Sequence, residues 1–165
     1  MVVIIFGLPG SGKSFFASHL ATHLSAHYIN SDVVRKEMGS LGKYTKENKL
    51  HVYQKMAEHT KELLSAGQAV VLDATFYRNE LRTIFINLAD TFNTPVFLIK
   101  VEAAEETVRE RLSHPRADSE ADYTIYQSVK KEFEEVQQPH LTLVSTNENI
   151  ERMLEEALAY IQRPA

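Results

Sequence analysis

Residues 7 to 14 read Gly7-Leu8-Pro9-Gly10-Ser11-Gly12-Lys13-Ser14, which is the spacing G-x-x-x-x-G-K-[ST]. Each position has a chemical reason. Gly7, Gly10 and Gly12, with Ser11 between them, let successive backbone amides turn inward around phosphate oxygens. The Lys13 ammonium can reach the β and γ phosphates of a nucleotide, and the Ser14 hydroxyl can ligate Mg²⁺. A helix opening at Lys13 adds the positive end of its dipole. The loop therefore implies a nucleoside triphosphate.

Two carboxylates could complete such a site. Asp73 ends the apolar run Val70-Val71-Leu72 and, with Ser14, is a candidate Mg²⁺ residue; the plain alternative is an aspartate that caps the next helix. Asp32 and Arg35 lie one helical turn apart. Phosphoryl transfer to an alcohol uses both types, a carboxylate to take the hydroxyl proton and a guanidinium to hold an anionic group on the acceptor. The alternative is a helix cap at Asp32 beside a solvated arginine. Further along, Arg78 and Arg82 sit four residues apart just beyond Asp73, as substrate-cleft candidates or surface arginines. Arg109, Arg111 and Arg116 surround a loop that can close over the nucleotide, with Arg116 the first choice for a lid arginine and Arg109 the second. The bland reading of Arg109 is a salt-bridged helix face with Glu105 and Glu106. The histidines show no metal-ligand spacing, so no zinc is assigned.

These residues need a scaffold, and the apolar pattern supplies one. Strands are expected at Val2–Phe6, His27–Asn30, Ala69–Leu72, Pro95–Ile99 and Leu141–Val144. Helices are expected after Lys13, from a cap at Ser31-Asp32, from about Thr45 to Ala66, through Leu81 to Leu88, from near Ala103, from Asp122 to Val136, and around Ile150 to Ile161. For the long helix, Leu50, Tyr53, Met56, Ala57, Thr60, Leu63 and Leu64 form the expected buried stripe. Strands alternating with helices make a parallel sheet covered on both faces, and ligands on such sheets sit outside the strands' carboxyl ends.

Bulk properties narrow the class. A chain of 165 residues fits a single domain over 1–165. The absence of cysteine removes disulfides and thiol chemistry, which makes a cytoplasmic location the expectation. No stretch approaches the ~20 apolar residues of a membrane span. A net charge of −4 gives no sign of a broad nucleic-acid footprint.

Taken in order, the phosphate loop, Ser31-Asp32-Val33-Val34-Arg35-Lys36, Val71-Leu72-Asp73-Ala74-Thr75-Phe76, and Arg109 to Arg116 with Ser119 to Tyr126 resemble the small phosphate-loop kinases filed as AAA-type predicted kinases. That group includes the kinase domain of polynucleotide kinases and, more distantly, zeta toxins and gluconate kinases. The resemblance implies a three-layer α/β/α P-loop NTPase fold with an adenylate-kinase-like, five-stranded parallel sheet in the order 2-3-1-4-5 and a lid at about 113–122. It implies ATP·Mg²⁺-dependent transfer of the γ-phosphoryl group to a hydroxyl, with Asp32 matching the general base and Arg35 the substrate-phosphate contact. Lys13 and Ser14 match the nucleotide and metal residues, and Arg116, then Arg109, the lid arginine. The acceptor is left open between a small molecule and a polynucleotide 5′-hydroxyl, and a nucleotide-binding switch or ATPase without an acceptor is the rival of another class. Residues 41–64, with Lys43, Tyr44, Lys46 and Lys49, are expected to shape the acceptor side.

Overall fold

Strand β1, Val2–Phe6, is buried along its whole length, as an uninterrupted apolar run requires of the central strand in a sheet covered on both faces. The computed structural model describes residues 1–114 and 122–163. Around β1 it arranges β2 (His27–Asn30), β3 (Val70–Asp73), β4 (Val96–Glu102) and β5 (Leu141–Val144) in one parallel sheet of order β2-β3-β1-β4-β5. This is the expected order. The intervening helices are α1 (Lys13–His23), α2 (Ser31–Glu37), α3 (Lys46–Ser65), α4 (Asn79–Thr91), α5 (Glu105–Leu112), α6 (Tyr123–Glu132) and α7 (Ile150–Ile161).

Side chains that alternate along β1 feed two cores, one on each face of the sheet. Val2, Ile4 and Phe6 pack with Tyr53 and Met56 of α3 and Phe85 of α4. Val3 and Ile5 pack with Phe16 and Leu20 of α1 and Met153 and Leu154 of α7. The register sets Ile5 beside Asp73, and Asp73 beside Asn30, at the carboxyl edge. No helix among the described residues is long and apolar enough to cross a membrane.

Local differences from the sequence reading have local causes. Helix α3 starts and stops where expected, with Thr45 accepting from the Asn48 amide at its N-cap. Its buried stripe passes through Val52 rather than Leu50, which is 41% exposed. The N-cap of α2 is Asn30, not Ser31-Asp32: its Oδ1 accepts from the amides of Asp32 and Val33 at 2.9 and 3.1 Å. Helix α6 ends at Glu132 instead of Val136, because Phe133 turns into an extended conformation and lays its ring on Phe6 at 6.5 Å.

Arg82 is a larger correction. It was expected in the substrate cleft, yet it is fully buried. Its guanidinium donates to the Phe76 carbonyl at 2.5 Å, to Asn79 Oδ1, and to the Glu134 and Glu135 carbonyls at 3.2 and 3.4 Å. Glu134 also receives the Asn79 amide on Oε2 at 2.7 Å and gives its own amide to the Tyr77 carbonyl at 2.8 Å. Arg82 therefore ties the chain after α6 to the start of α4. Arg82→Leu strands several buried carbonyls, and a loss of about 3 kcal/mol is expected from the urea unfolding midpoint. A shift no larger than that of an exposed arginine variant such as Arg152→Leu refutes this role.

Candidate active site

The phosphate loop leaves the fully buried β1 and is gripped from behind. Gly12, the N-cap of α1, has φ 88°, and a Cβ there would lie 2.8 Å from Ser145 Oγ, so both conformation and space call for glycine. Ser145, just past β5, donates to the Ser11 carbonyl at 2.5 Å. Arg111 of α5 donates to the Gly10 carbonyl at 3.2 Å and to Ser145 Oγ at 2.9 Å. An anion nest is built by amides that converge while the carbonyls turn away, and these two contacts hold two of the carbonyls. The sequence did not rank Arg111; its contacts at Gly10, Ser145 and Asn147 join segments far apart in the chain.

A cleft of about 550 Å³ opens beside the loop. Lys13 and Ser14 line it, with Asp32, Arg35 and Asp73, so the loop, the candidate metal carboxylate and the candidate base share one cavity. Asp73 is 1% exposed. Its Oδ2 accepts from the Tyr28 hydroxyl and from Asn30 Nδ2, both at 2.6 Å, while its Oδ1 has no partner. A buried carboxylate oxygen left bare in a cavity is costly unless a cation or a donor meets it. Asn30 Nδ2 also lies 3.4 Å from Ser14 Oγ, which brings the serine hydroxyl to the same corner. Two oxygen donors there fit Mg²⁺, which takes one or two protein ligands and fills the rest of its shell with phosphate and water. Burial foremost, and then the Asp73 charge, push the Tyr28 phenol well above its ordinary range, so it stays a donor.

Asn30 is the residue that ties this corner together, and sequence reasoning missed it. One end of its carboxamide caps α2 and the other end fixes Asp73. The helix it caps carries Asp32 and Arg35. Arg35 NH1 donates to Asp32 Oδ1 at 2.9 Å, and the guanidinium lies over the Tyr44 ring at 4.8 Å. Asp32 has its carboxyl pushed up from the ordinary value: burial raises it most, Lys13 and Arg35 pull it down, and Asp73 raises it again. A carboxylate whose proton affinity is raised beside a phosphate site is suited to general-base work.

The remaining arginines separate from this group. Arg78 lies 3.9 Å from Glu132 and over the ring of Tyr77, a residue of the cleft wall, but is not itself among the residues that line the cleft. Arg109 is on the exposed face of α5, 3.3 Å from Glu105 and over the Tyr123 ring at 4.5 Å, which is the salt-bridged alternative. Arg116, with most of the expected lid at 113–122, lies outside the described residues. A second cavity of about 400 Å³ lies behind the loop, bounded by Gly12, Phe15, Arg111, Thr146, Asn147 and Ile150.

A parallel sheet of this order, with a glycine-rich loop running from its central strand into the first helix, defines a phosphate-loop α/β domain of the kinase-like kind. The chain belongs to the family described as AAA domain, whose model matches residues 2–140. It is 28% identical over 135 residues to an uncharacterized protein of Mycobacterium tuberculosis, covering 74% of this chain and 27% of that protein. It is 25% identical over 108 residues to the bifunctional polynucleotide phosphatase/kinase of Schizosaccharomyces pombe, covering 66% of this chain and 22% of that protein. The chain thus spans about a quarter of the length of these curated relatives. In fold it is similar to the APS kinase of Mycobacterium tuberculosis in complex with AMPPNP and APS, with a TM-score of 0.75, 16% identity, and 98% of this chain and 97% of that chain covered.

Asn30→Ala removes both functions of the carboxamide, whereas Asn30→Ser keeps a capping oxygen. The alanine variant should lose about 1–2 kcal/mol of stability and the serine variant clearly less. Urea titration of both checks this, and equal losses refute the capping part.

Proposed function

We propose that this chain is an ATP-dependent kinase that transfers the γ-phosphoryl group of ATP to a hydroxyl on an acceptor. One observation carries the reading: Asp32, paired with Arg35 and raised in proton affinity, lies in the same cleft as Lys13, Ser14 and the bare Oδ1 of Asp73. A switch or simple ATPase has no need of that second half. The kinase-like fold agrees with it.

In this reading Lys13 and the loop amides bind the triphosphate, and the second cavity beside Arg111, Thr146 and Asn147 receives the base. Ser14 and Asp73 would hold Mg²⁺, which supplies charge neutralisation on the β and γ phosphates. Asp32 accepts the proton of the acceptor hydroxyl as the oxygen bonds to the γ phosphorus. The bond from that phosphorus to the β–γ bridging oxygen breaks, and ADP leaves. Arg35 holds Asp32 in position, so the carboxylate loses no time to rotamer search.

A polynucleotide 5′-hydroxyl kinase is the second reading, favoured by the kinase half in the name of the Schizosaccharomyces pombe relative. A phosphotransfer screen with labelled ATP across oligonucleotide, nucleoside, sugar and antibiotic hydroxyls tests both. Label on any of these acceptors supports the kinase, and label on oligonucleotides alone selects the second reading. ATP hydrolysis with every acceptor untouched overturns both.

Three results are expected, two from variants and one from pH. Asp32→Asn should keep ATP affinity and lower acceptor phosphorylation by about 10²-fold or more, the scale of general-base catalysis. Transfer at the parent rate removes Asp32 from the base role. Lys13→Ala should weaken ATP binding or turnover with every acceptor, as equilibrium binding and initial rates would report. The third result concerns pH. Because the folded protein raises the Asp32 carboxyl, a larger share of it is protonated at a given mildly acidic pH, and the protonated form cannot act as base. The kcat/KM profile should therefore fall as pH drops through a midpoint above 3.8, the ordinary carboxyl value. A flat acid limb down to that value contradicts the assignment.

A further inference from the structure

A third cavity, of about 520 Å³, is used by no step of the reaction described above. It lies at the carboxyl end of β4, over Lys100 to Ala103, and touches the phosphate loop at Leu8 and Ser11. Crevices at strand ends are where parallel sheets take ligands, and this one is close in volume to the cleft beside Lys13. Among the described residues it shares no lining residue with that cleft or with the cavity behind the loop. Its remaining walls come from α5, with Val108, and from α6 and the chain after it, with Tyr126, Phe133 and Val136. Val108 and Tyr126 are 2% and 4% exposed, so packing holds these walls in place. Val108 also rests on the loop: a Cβ at Gly10 would lie 3.0 Å from its Cγ1.

The polar groups around this cavity decide what it would take. Lys100 is 2.5 Å from Glu102 and lies over the Phe133 ring at 5.7 Å, while Lys130 is 3.8 Å from Glu105 and over the Tyr126 ring at 5.7 Å. Both ammonium groups therefore have counter-charges. The Glu135 carboxylate and His140 Nε2 have no partner among the described residues. His140 Nδ1 lies 2.9 Å from the Gln138 carbonyl, which can only accept, so in the neutral ring Nδ1 carries the proton and Nε2 is left as an acceptor. What stands open is thus acceptor capacity. A full cation would face two lysines, and an anion would face Glu135. A neutral ligand that brings N–H donors meets neither penalty, and the aromatic and aliphatic walls favour a flat ring.

We propose that this cavity is an effector site for a neutral, amine-bearing heteroaromatic ring of nucleobase type, which lies against Phe133 and Tyr126 and donates to Glu135 and His140 Nε2. Leu8, Ser11 and Val108 share its walls, so an occupant braces the loop against α5, the helix from which Arg111 holds the Gly10 carbonyl. Bracing slows the escape of a nucleotide already seated, and by linkage the seated nucleotide favours the effector in turn. The site needs only a nucleotide in the loop, whatever the fate of its γ phosphate.

In the test, the full chain is saturated with ADP and Mg²⁺ so that the loop and the cavity behind it are filled. Cytosine, adenine, benzoate and benzylammonium are then titrated in at about pH 8, where imidazole is neutral, and followed by ligand-observed NMR. Cytosine and adenine should bind about tenfold or more tightly than either charged ring. Glu135→Leu and His140→Phe, the second keeping an aromatic ring against Phe6, should each weaken cytosine about three- to tenfold, and Glu151→Leu, exposed on α7, should change nothing. Cytosine should also slow, by about fivefold, the release of a fluorescent ADP chased with excess ADP. Equal binding of neutral and charged rings, or unaltered cytosine binding in both variants, overturns the site. Cytosine binding that depends on Glu135 and His140 but leaves ADP release at its original rate overturns the effector role.

Discussion

The carboxamide of Asn30 faces two ways, and the rest of the site hangs on that division. Its oxygen holds the first amides of α2 and its nitrogen holds one oxygen of Asp73. Parallel pairing puts both residues at the same level of the sheet, so no loop has to fold back to bring them together. With Tyr28 on the same oxygen, Asp73 has one oxygen doubly engaged and the other buried without a partner. The helix that presents Asp32 and the strand that presents Asp73 are thus oriented by one side chain of modest size.

The cleft obtains its electrostatic character from unequal burial rather than from net charge, which is mildly negative over the chain. Asp73, deeply buried, and Asp32, partly exposed, are met by different partners: neutral donors for Asp73, cations for Asp32. Neutral donors leave the full carboxylate charge of Asp73 available to a cation. At Asp32 the cations of Lys13 and Arg35 oppose burial without overcoming it, which leaves the carboxyl raised.

Much of this was legible in the sequence because it was local. The glycine spacing, the bounds of α3, the apolar strands and the aspartate at the end of β3 are each written within a few residues. The sheet order came from the family resemblance rather than from periodicity. What escaped reading was non-local. Asn30 looked like the last residue of a strand, since nothing nearby reveals Asp73 as its second partner. Arg82 and Arg78, at helical spacing, resembled a pair facing one cleft, whereas Arg82 is drawn inward by carbonyls more than fifty residues away. Arg111 gained its place from contacts with Gly10 and Ser145, each remote in the chain. Arginine is hard to place from spacing alone, because its long stem lets the same position serve solvent, a carboxylate or a buried backbone turn.

Residues 31–65, which hold α2 and α3, leave the sheet at the end of β2 and return at β3, its immediate neighbour. The excursion forms one wall of the cleft yet adds no strand, so its length and side chains can change while the pairing of β1, β2 and β3 is left alone. The loop that follows β1 and the wall that carries α2 and α3 therefore belong to separate stretches of chain. Side chains on that wall can change while the register that aligns Asn30, Asp73 and Ile5 stays as it is.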